Sequence, residues 1–346
     1  METRLLTVSP LDPEPDAIGE AACLLRCGQL VAFPTETVYG LGANALDADA
    51  VAAIFEAKGR PARNPLIVHV HCAAQARELA AEWPSRADLL ARAFWPGPLT
   101  LVVARAPLIP GIVTAGGATV ALRVPASPVA LALLRAADVP VAAPSANRSN
   151  RVSPTRAEHV VRHLGGRIPM ILDGGPTPGG IESTVLDVTG PTPRLLRPGL
   201  VLRAQLEEIV GPIETVATHG TGDAGRDGAP LASPGMMRKH YAPHAPLELV
   251  DPAQSAACVN AILAEDAAAR VGWLRIGGDA DNASRGPRIV SAPMPDTPHA
   301  YAARLYDALH VMDAAGVTRI VADAPPGTPD WHAVNDRLRR AAQTSR

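Results

Sequence analysis

With 346 residues, a hydrophobic share of 47% and a formal net charge of −2, the chain can fill packed cores and has no bulk electrostatic case for nucleic-acid binding, a local basic patch aside. Its length exceeds the roughly 250–300 residues at which single cores stop growing, so two domains are the prior. Aromatic residues are only 3%, beside 35 prolines and 29 glycines; Ala, Val and Leu must fill the interior and loops must be many, while the apolar content excludes wholesale disorder.

In chain order, 16–27 reads as a helix stopped by Gly28 and 30–33 as a strand. A helix over 47–58 follows, with Gly59 at its C-terminal cap position. Strands are predicted over 66–70, 99–104, 120–124, 141–143, 170–172 and 183–188, and helices over 85–94, 128–137 and 155–164. Thr155-x-x-Glu158 predicts a capping box for the last of these. The alternation indicates an α/β fold, and the close spacing of strands near 99–124 and 183–196 a mixed sheet. From 211 to 246 the chain is rich in Gly, Pro, Ala, Thr and Asp and poor in apolar periodicity, as linkers or lids are. Beyond it, strands at 247–250, 271–276 and 319–322 alternate with helices at 253–265, 299–315 and 331–342, a small Rossmann-like unit. The expected division is 1–210, a linker at 211–246, and 247–346.

Four cysteines (Cys23, Cys27, Cys72, Cys258) form no CxxC pair, and Cys23 and Cys27, at i,i+4, are expected to be buried thiols. A reducing cytoplasm fits that usage. No apolar run approaches the ~18 residues of a membrane span, and residues 1–15 are acidic and proline-rich, unlike a signal peptide; a cytosolic chain without membrane contact is the expectation.

The chemistry concentrates in 33–69, which reads FPTETVYGLGANA, a helix-like run, then KGRPARNPLIVH. A strand runs into the hydroxyls of Thr35, Thr37 and Tyr39 and into Gly40 and Gly42. Lys58 and Arg60 stand in a later Gly/Pro loop, so donors, glycines and paired cations at strand ends suit a small anionic ligand. Gly40-Leu-Gly42-Ala-Asn-Ala45 imitates a dinucleotide fingerprint but lacks the acidic residue of a second strand, and no Walker A sequence exists. His240 and His244 are spaced i,i+4 with Pro243 between them, which argues against a metal pair. The inventory extends along the first 200 residues: Asn64, His69, Thr119, Arg123, Ser145, Asn147, Ser153, Ser183, Thr184 and Arg197. Fixed cations and short donors, with neither a Ser-His-Asp set nor paired carboxylates, suit phosphoryl or nucleotidyl transfer, where positioning and charge stabilisation dominate.

The segments PTETVYGLG, KGRPARNPLIVH, WPGPLTLV, VALRVP, PSANRS…SPT, DGG, IESTV and LLRPG, in this order, resemble the YrdC-like family of threonylcarbamoyl-AMP synthases. SPGMMRKHYAPHAPL resembles the linker of its longer, two-domain members. The likeness covers about 15–246, with the C-terminal unit similar in position and length only. It implies an open twisted α/β sheet and a cytosolic enzyme condensing L-threonine, bicarbonate or carbon dioxide, and ATP. Partner proteins would then carry the threonylcarbamoyl group to tRNA. It also implies the site. Thr35, Thr37, His69, Arg123, Ser183 and the main chain at Ala143 would hold L-threonine. Lys58, Arg60, Asn64, Thr119, Ser145, Asn147, Ser153 and Arg197 would hold ATP, with Lys58 and Arg60 and a phosphate-held Mg²⁺ stabilising the leaving pyrophosphate. The aromatic, cationic and apolar side chains of the linker, in a stretch otherwise too polar to fold alone, point to a lid in which Tyr241 reaches the nucleotide, with a plain spacer as the alternative. Asn64 departs from a lysine that related sequences often carry. Structural alternatives stand beside these roles: an ion pair for Arg123, a helix cap for Ser153, a satisfied strand-end histidine for His69. Two rival functions are a double-stranded RNA or tRNA-binding module without turnover, and the carbamoyl transfer of hydrogenase maturation. The second is disfavoured by the absence of paired-cysteine zinc motifs.

Overall fold

The helix Ala48–Lys58 shows how local sequence sets the framework. Asp47 caps it by accepting hydrogen bonds from the N–H groups of Asp49 and Ala50, and Gly59 ends it in the left-handed region at φ 59°. Its buried residues Val51, Ile54 and Phe55 face the sheet. The computed structural model describes residues 1–61, 64–215, 241–277 and 286–342. These residues fall into two units, and neither is a contiguous stretch. One comprises Met1–Ser149, Pro154–Pro178 and the described residues of Glu182–Met236; the other comprises Asn150–Ser153, Gly179–Ile181 and the described residues of Met237–Arg346.

The first unit is a mixed sheet. Its described strands run, edge to edge, Arg4–Thr7, Met170–Asp173, Val31–Pro34, Tyr39–Asn44, Val141–Ala142, Ile67–His69, Thr119–Arg123, Leu99–Arg105, Thr184–Asp187, Arg194–Arg197 and Glu214–Thr215, with Ala80–Glu82 pairing onto Leu99–Arg105. This edge strand at 214–215 carries the unit past Val210. Three registers position the site. Ile67–His69 lies parallel to Thr119–Arg123 with His69 opposite Arg123, Leu99–Arg105 runs antiparallel on the other side with Leu101 opposite Leu122, and Thr184 lies opposite Leu99. Because side chains alternate along strands, Val68, Leu101, Val103, Val120 and Leu122 enter the main core. Ile67, Val102, Ala121, Val185 and Leu196 form a small cluster on the opposite face. By the same alternation His69, Thr100, Thr119 and Arg123 share that second face.

The second unit is a four-stranded parallel sheet ordered Leu247–Val250, Arg319–Asp323, Val271–Ile276 and Ile289–Met294. The helices Pro252–Glu265, Pro298–Ala314 and His332–Ala342 alternate with these strands, and Val259, Ile262, Val271, Trp273 and Val321 form its core. Among the described residues no helix is long and apolar enough to cross a membrane.

Several expectations need correction. Cys23 and Cys27 are exposed, because Ala21, Ala22 and Leu25 take the buried face of Pro15–Arg26. Thr155 caps no helix: the helix begins at Ala157, and the Thr155 N–H donates to His159 Nδ1 at 3.3 Å. Gly40 and Gly42 do not form a loop but lie in the strand Tyr39–Asn44. At Gly42 a Cβ would stand 2.8 Å from both Phe33 and Val141 side-chain carbons, so glycine here serves close packing rather than a ligand.

Candidate active site

The turn after Val31–Pro34 is built by Thr35. Its hydroxyl accepts from the N–H groups of Thr37 and Val38, each at 3.2 Å, and donates to the Val38 carbonyl at 2.6 Å. That fixes the direction of the next bond: the Thr37 hydroxyl, 2.8 Å away, must donate to Thr35. Thr37 in turn accepts from Arg123 Nη1 at 3.1 Å. Arg123 Nε donates to the Gly97 carbonyl at 3.2 Å, and Nη2 lies 2.6 Å from Glu36 Oε1. The two threonines therefore orient the guanidinium.

His69, opposite Arg123 in register, is buried, and its Nδ1 has no hydrogen-bond partner among the described residues. Burial, then the positive charge of Arg123, pushes its pKa down to about 3, so the ring is neutral at physiological pH. This imidazole takes up a proton near 6.5 when the chain is unfolded and near 3 when it is folded. Its stabilising contribution is therefore complete above about pH 6.5 and is lost as pH falls toward 3. His69→Gln is expected to flatten the fall of urea-denaturation stability between pH 7 and pH 4.5; the same slope in variant and parent would contradict the assignment.

Ser183 and Arg197 come together beside this group. Arg197 donates through Nε to the Ser183 carbonyl at 3.0 Å and through Nη2 to its hydroxyl at 3.1 Å, and that hydroxyl lies 2.8 Å from Thr100 Oγ1. The Ala143 N–H donates to the Ile67 carbonyl, so a main-chain contact from Ala143 to a ligand would use its carbonyl.

A second cluster forms around Lys58, the last residue of its helix. Its ammonium donates to the carbonyls of Ser145 and Asn147, in the loop that follows Val141–Ala142 and bridges through Ser145 to Gly40. Burial, then the charge of Arg60, pulls the Lys58 pKa well down. Arg60 Nη2 donates to the Pro65 carbonyl at 3.0 Å and reaches the Asn64 carbonyl at 3.4 Å. Pairing of Ile67 with Ala121 sets Thr119 level with Pro65, at the end of its strand remote from Arg123. Buried Asn64 and Asn147 belong to the same loops.

Three further residues singled out in the sequence have partners of their own. The Tyr39 hydroxyl donates to the Gly175 carbonyl at 2.7 Å, and burial together with nearby Asp173 raises its pKa; it is a packing residue. Ser153 and Tyr241 belong to the second unit. There the Ser153 carbonyl accepts from His310 Nε2 at 3.1 Å, while Tyr241 stacks on Tyr306 with Arg337 over its ring. His244 pairs with Asp313; His240 and the linker residues 216–240 lie outside the described residues. Sequence reasoning missed Glu36, Gly97 and Thr100. Glu36 carried a signal, a carboxylate between two hydroxyls in an apolar turn.

A family model described as telomere recombination (Sua5/YciO/YrdC) matches residues 23–199, and one described as the threonylcarbamoyl-AMP synthase C-terminal domain matches residues 201–343. The chain is 45% identical over 338 residues to the threonylcarbamoyl-AMP synthase of Bacillus subtilis strain 168, covering 97% of this chain and 94% of that protein. It is 43% identical over 328 residues to that of Pyrococcus abyssi, covering 93% of each. The crystal structure of P. abyssi Sua5 complexed with L-threonine aligns with a TM-score of 0.88 at 41% identity, covering 98% of this chain and 97% of that one. Escherichia coli YciO, at 22% identity and a TM-score of 0.52 over 58% of this chain, shares the fold.

Proposed function

The chain belongs to the Sua5/YciO/YrdC family, in the two-domain form of the threonylcarbamoyl-AMP synthases, and from that premise we propose that it condenses L-threonine, carbon dioxide or bicarbonate, and ATP. The products are threonylcarbamoyl-adenylate and pyrophosphate. The observation that carries the reading is the buried Arg123, oriented by Thr37 and flanked by a neutral histidine whose Nδ1 lacks a partner among the described residues. It is a receptor for a carboxylate with a hydroxyl nearby.

In this reading Arg123 holds the threonine carboxylate through its fork, while His69 and Ser183 face the side chain. Lys58, Arg60, Asn64, Thr119, Ser145, Asn147 and Arg197 serve the nucleotide, the cations meeting phosphates. Threonine's ammonium first gives up a proton; the neutral amine then adds to carbon dioxide: the N–C bond forms, a second proton leaves, and a carbamate results. A carbamate oxygen then attacks the α-phosphorus of ATP as the bond to the leaving pyrophosphate breaks. Among the described residues no three His, Cys, Asp or Glu side chains converge, so magnesium would ride on ATP's phosphates, and no step here depends on protein ligands to it. Partner proteins would then move the threonylcarbamoyl group to an adenosine beside the tRNA anticodon. The burial of Lys58, Arg60, Arg123 and Arg197, between 2% and 8% exposed, favours small anionic substrates over an RNA backbone as what these cations hold, since backbone recognition needs cations at the surface.

Pyrophosphate release is expected only when ATP, bicarbonate and L-threonine are all present; release that persists without threonine would refute the reading. L-Serine, one methyl shorter, is expected to react about 10–200-fold less efficiently in kcat/KM. Equal efficiency would show that nothing in the pocket packs the methyl group.

A further inference from the structure

The pairing of Glu36 with Arg123 is unlike a structural ion pair. Nη2 and Oε1 lie 2.6 Å apart, yet neither Glu36 oxygen nor Arg123 Nη2, all shut off from solvent, makes a hydrogen bond among the described residues. The two groups touch without aligning. A buried pair of charges repays its desolvation only when well aligned and fully hydrogen-bonded, so this one is a poor device for stability. Meanwhile the other two nitrogens of Arg123 are hydrogen-bonded, Nε to the Gly97 carbonyl and Nη1 to the Thr37 hydroxyl. Glu36 is the residue between Thr35 and Thr37, so the same hydroxyl-braced turn that orients the guanidinium also sets the carboxylate beside it.

Such a pair complements a zwitterion. From standard bond lengths, the nitrogen and carboxylate oxygen of an α-amino acid lie about 3 Å apart, close to the Glu36–Arg123 separation. The amino acid's dipole can therefore lie antiparallel to the pair, carboxylate on Arg123 and ammonium on Glu36, and give each buried charge the aligned bond it lacks. We infer that Glu36 is the ammonium-binding residue of the amino-acid pocket. With Arg123 it selects a free α-amino acid over a simple hydroxy acid. This rests on the reading of that pocket as the L-threonine site.

The test is calorimetric binding of L-threonine and of 3-hydroxybutyrate, which is threonine without its amine, to the full-length chain and to Glu36→Gln. In Glu36→Gln, threonine is expected to bind at least about thirtyfold more weakly, while the affinity for 3-hydroxybutyrate changes less than about threefold. Equal weakening of both ligands would overturn the inference and leave Glu36 only positioning Arg123. Tightening of both would overturn it in favour of a carboxylate competing with substrate for Arg123. Should Glu36→Gln fail to bind ATP or to melt cooperatively, Glu36→Asp, which keeps the charge on a shorter stem, carries the same comparison: a loss confined to threonine supports the inference and a loss shared by both ligands overturns it. If the parent chain binds no threonine, the pocket assignment itself fails, an outcome distinct from a parent that binds threonine and a variant that ignores the amine.

Discussion

Arg123→Ala is expected to remove measurable L-threonine binding and to lower the unfolding free energy by about 3–5 kcal/mol. Both effects have one origin. In the proposed reading Arg123 takes the substrate carboxylate, and it is also the only charge among the described residues within ion-pair distance of Glu36, whose carboxylate oxygens are shut off from solvent. Removing it leaves that solvent-shielded carboxylate uncompensated. The two consequences separate in the double variant Arg123→Ala/Glu36→Gln, which has no stranded charge. That variant is expected to regain most of the stability in urea denaturation and none of the threonine affinity in calorimetry. A single variant that melts early but binds threonine normally would make Arg123 an ordinary structural residue.

Lys58→Met is expected to reduce kcat about 10²–10³-fold, the scale associated with losing one preorganised stabiliser of developing charge, while threonine affinity stays unchanged. Methionine fills most of the same volume, so the experiment isolates the ammonium. Its removal strands the Ser145 and Asn147 carbonyls but also ends the burial of a cation beside Arg60. These effects oppose each other, and the net stability change is expected to stay below about 2 kcal/mol. Intact turnover at saturating ATP, with collapsed stability, would assign Lys58 to holding the loop rather than to the reaction.

Much of the framework was legible because local chemistry and tertiary packing agreed. Asp47 and Gly59 bracket a helix in the sequence and in the structure, and the β-branched runs around Val68, Val102 and Val120 are strands. The misses follow from tertiary context overriding local signals. Two glycines disguised Tyr39–Asn44 as a loop, although Gly42 is demanded by the side chains of Phe33 and Val141. Pro293 disguised Ile289–Met294, a strand that tolerates proline because it lies at the sheet edge. At Thr155 a histidine four residues on receives the N–H instead of the expected cap. The site was legible as a set of residue types but not as a set of pairs. Nothing local says that His69 stands opposite Arg123, which depends on the register of two strands far apart in sequence. Nor does anything local say that Thr35 and Thr37 direct their hydroxyls toward holding a guanidinium. Glu36 went unread because its partner lies 87 positions away, a separation given by the two residue numbers.

The central claim is that a carbamate of threonine, rather than threonine's own carboxylate, is joined to AMP. Mass spectrometry of the product formed from ATP, L-threonine and ¹³C-bicarbonate tests it most directly. The account predicts an adenylate that contains threonine and one labelled carbon, formed together with pyrophosphate. An adenylate of threonine without the label, or ADP and phosphate in place of pyrophosphate, would contradict it.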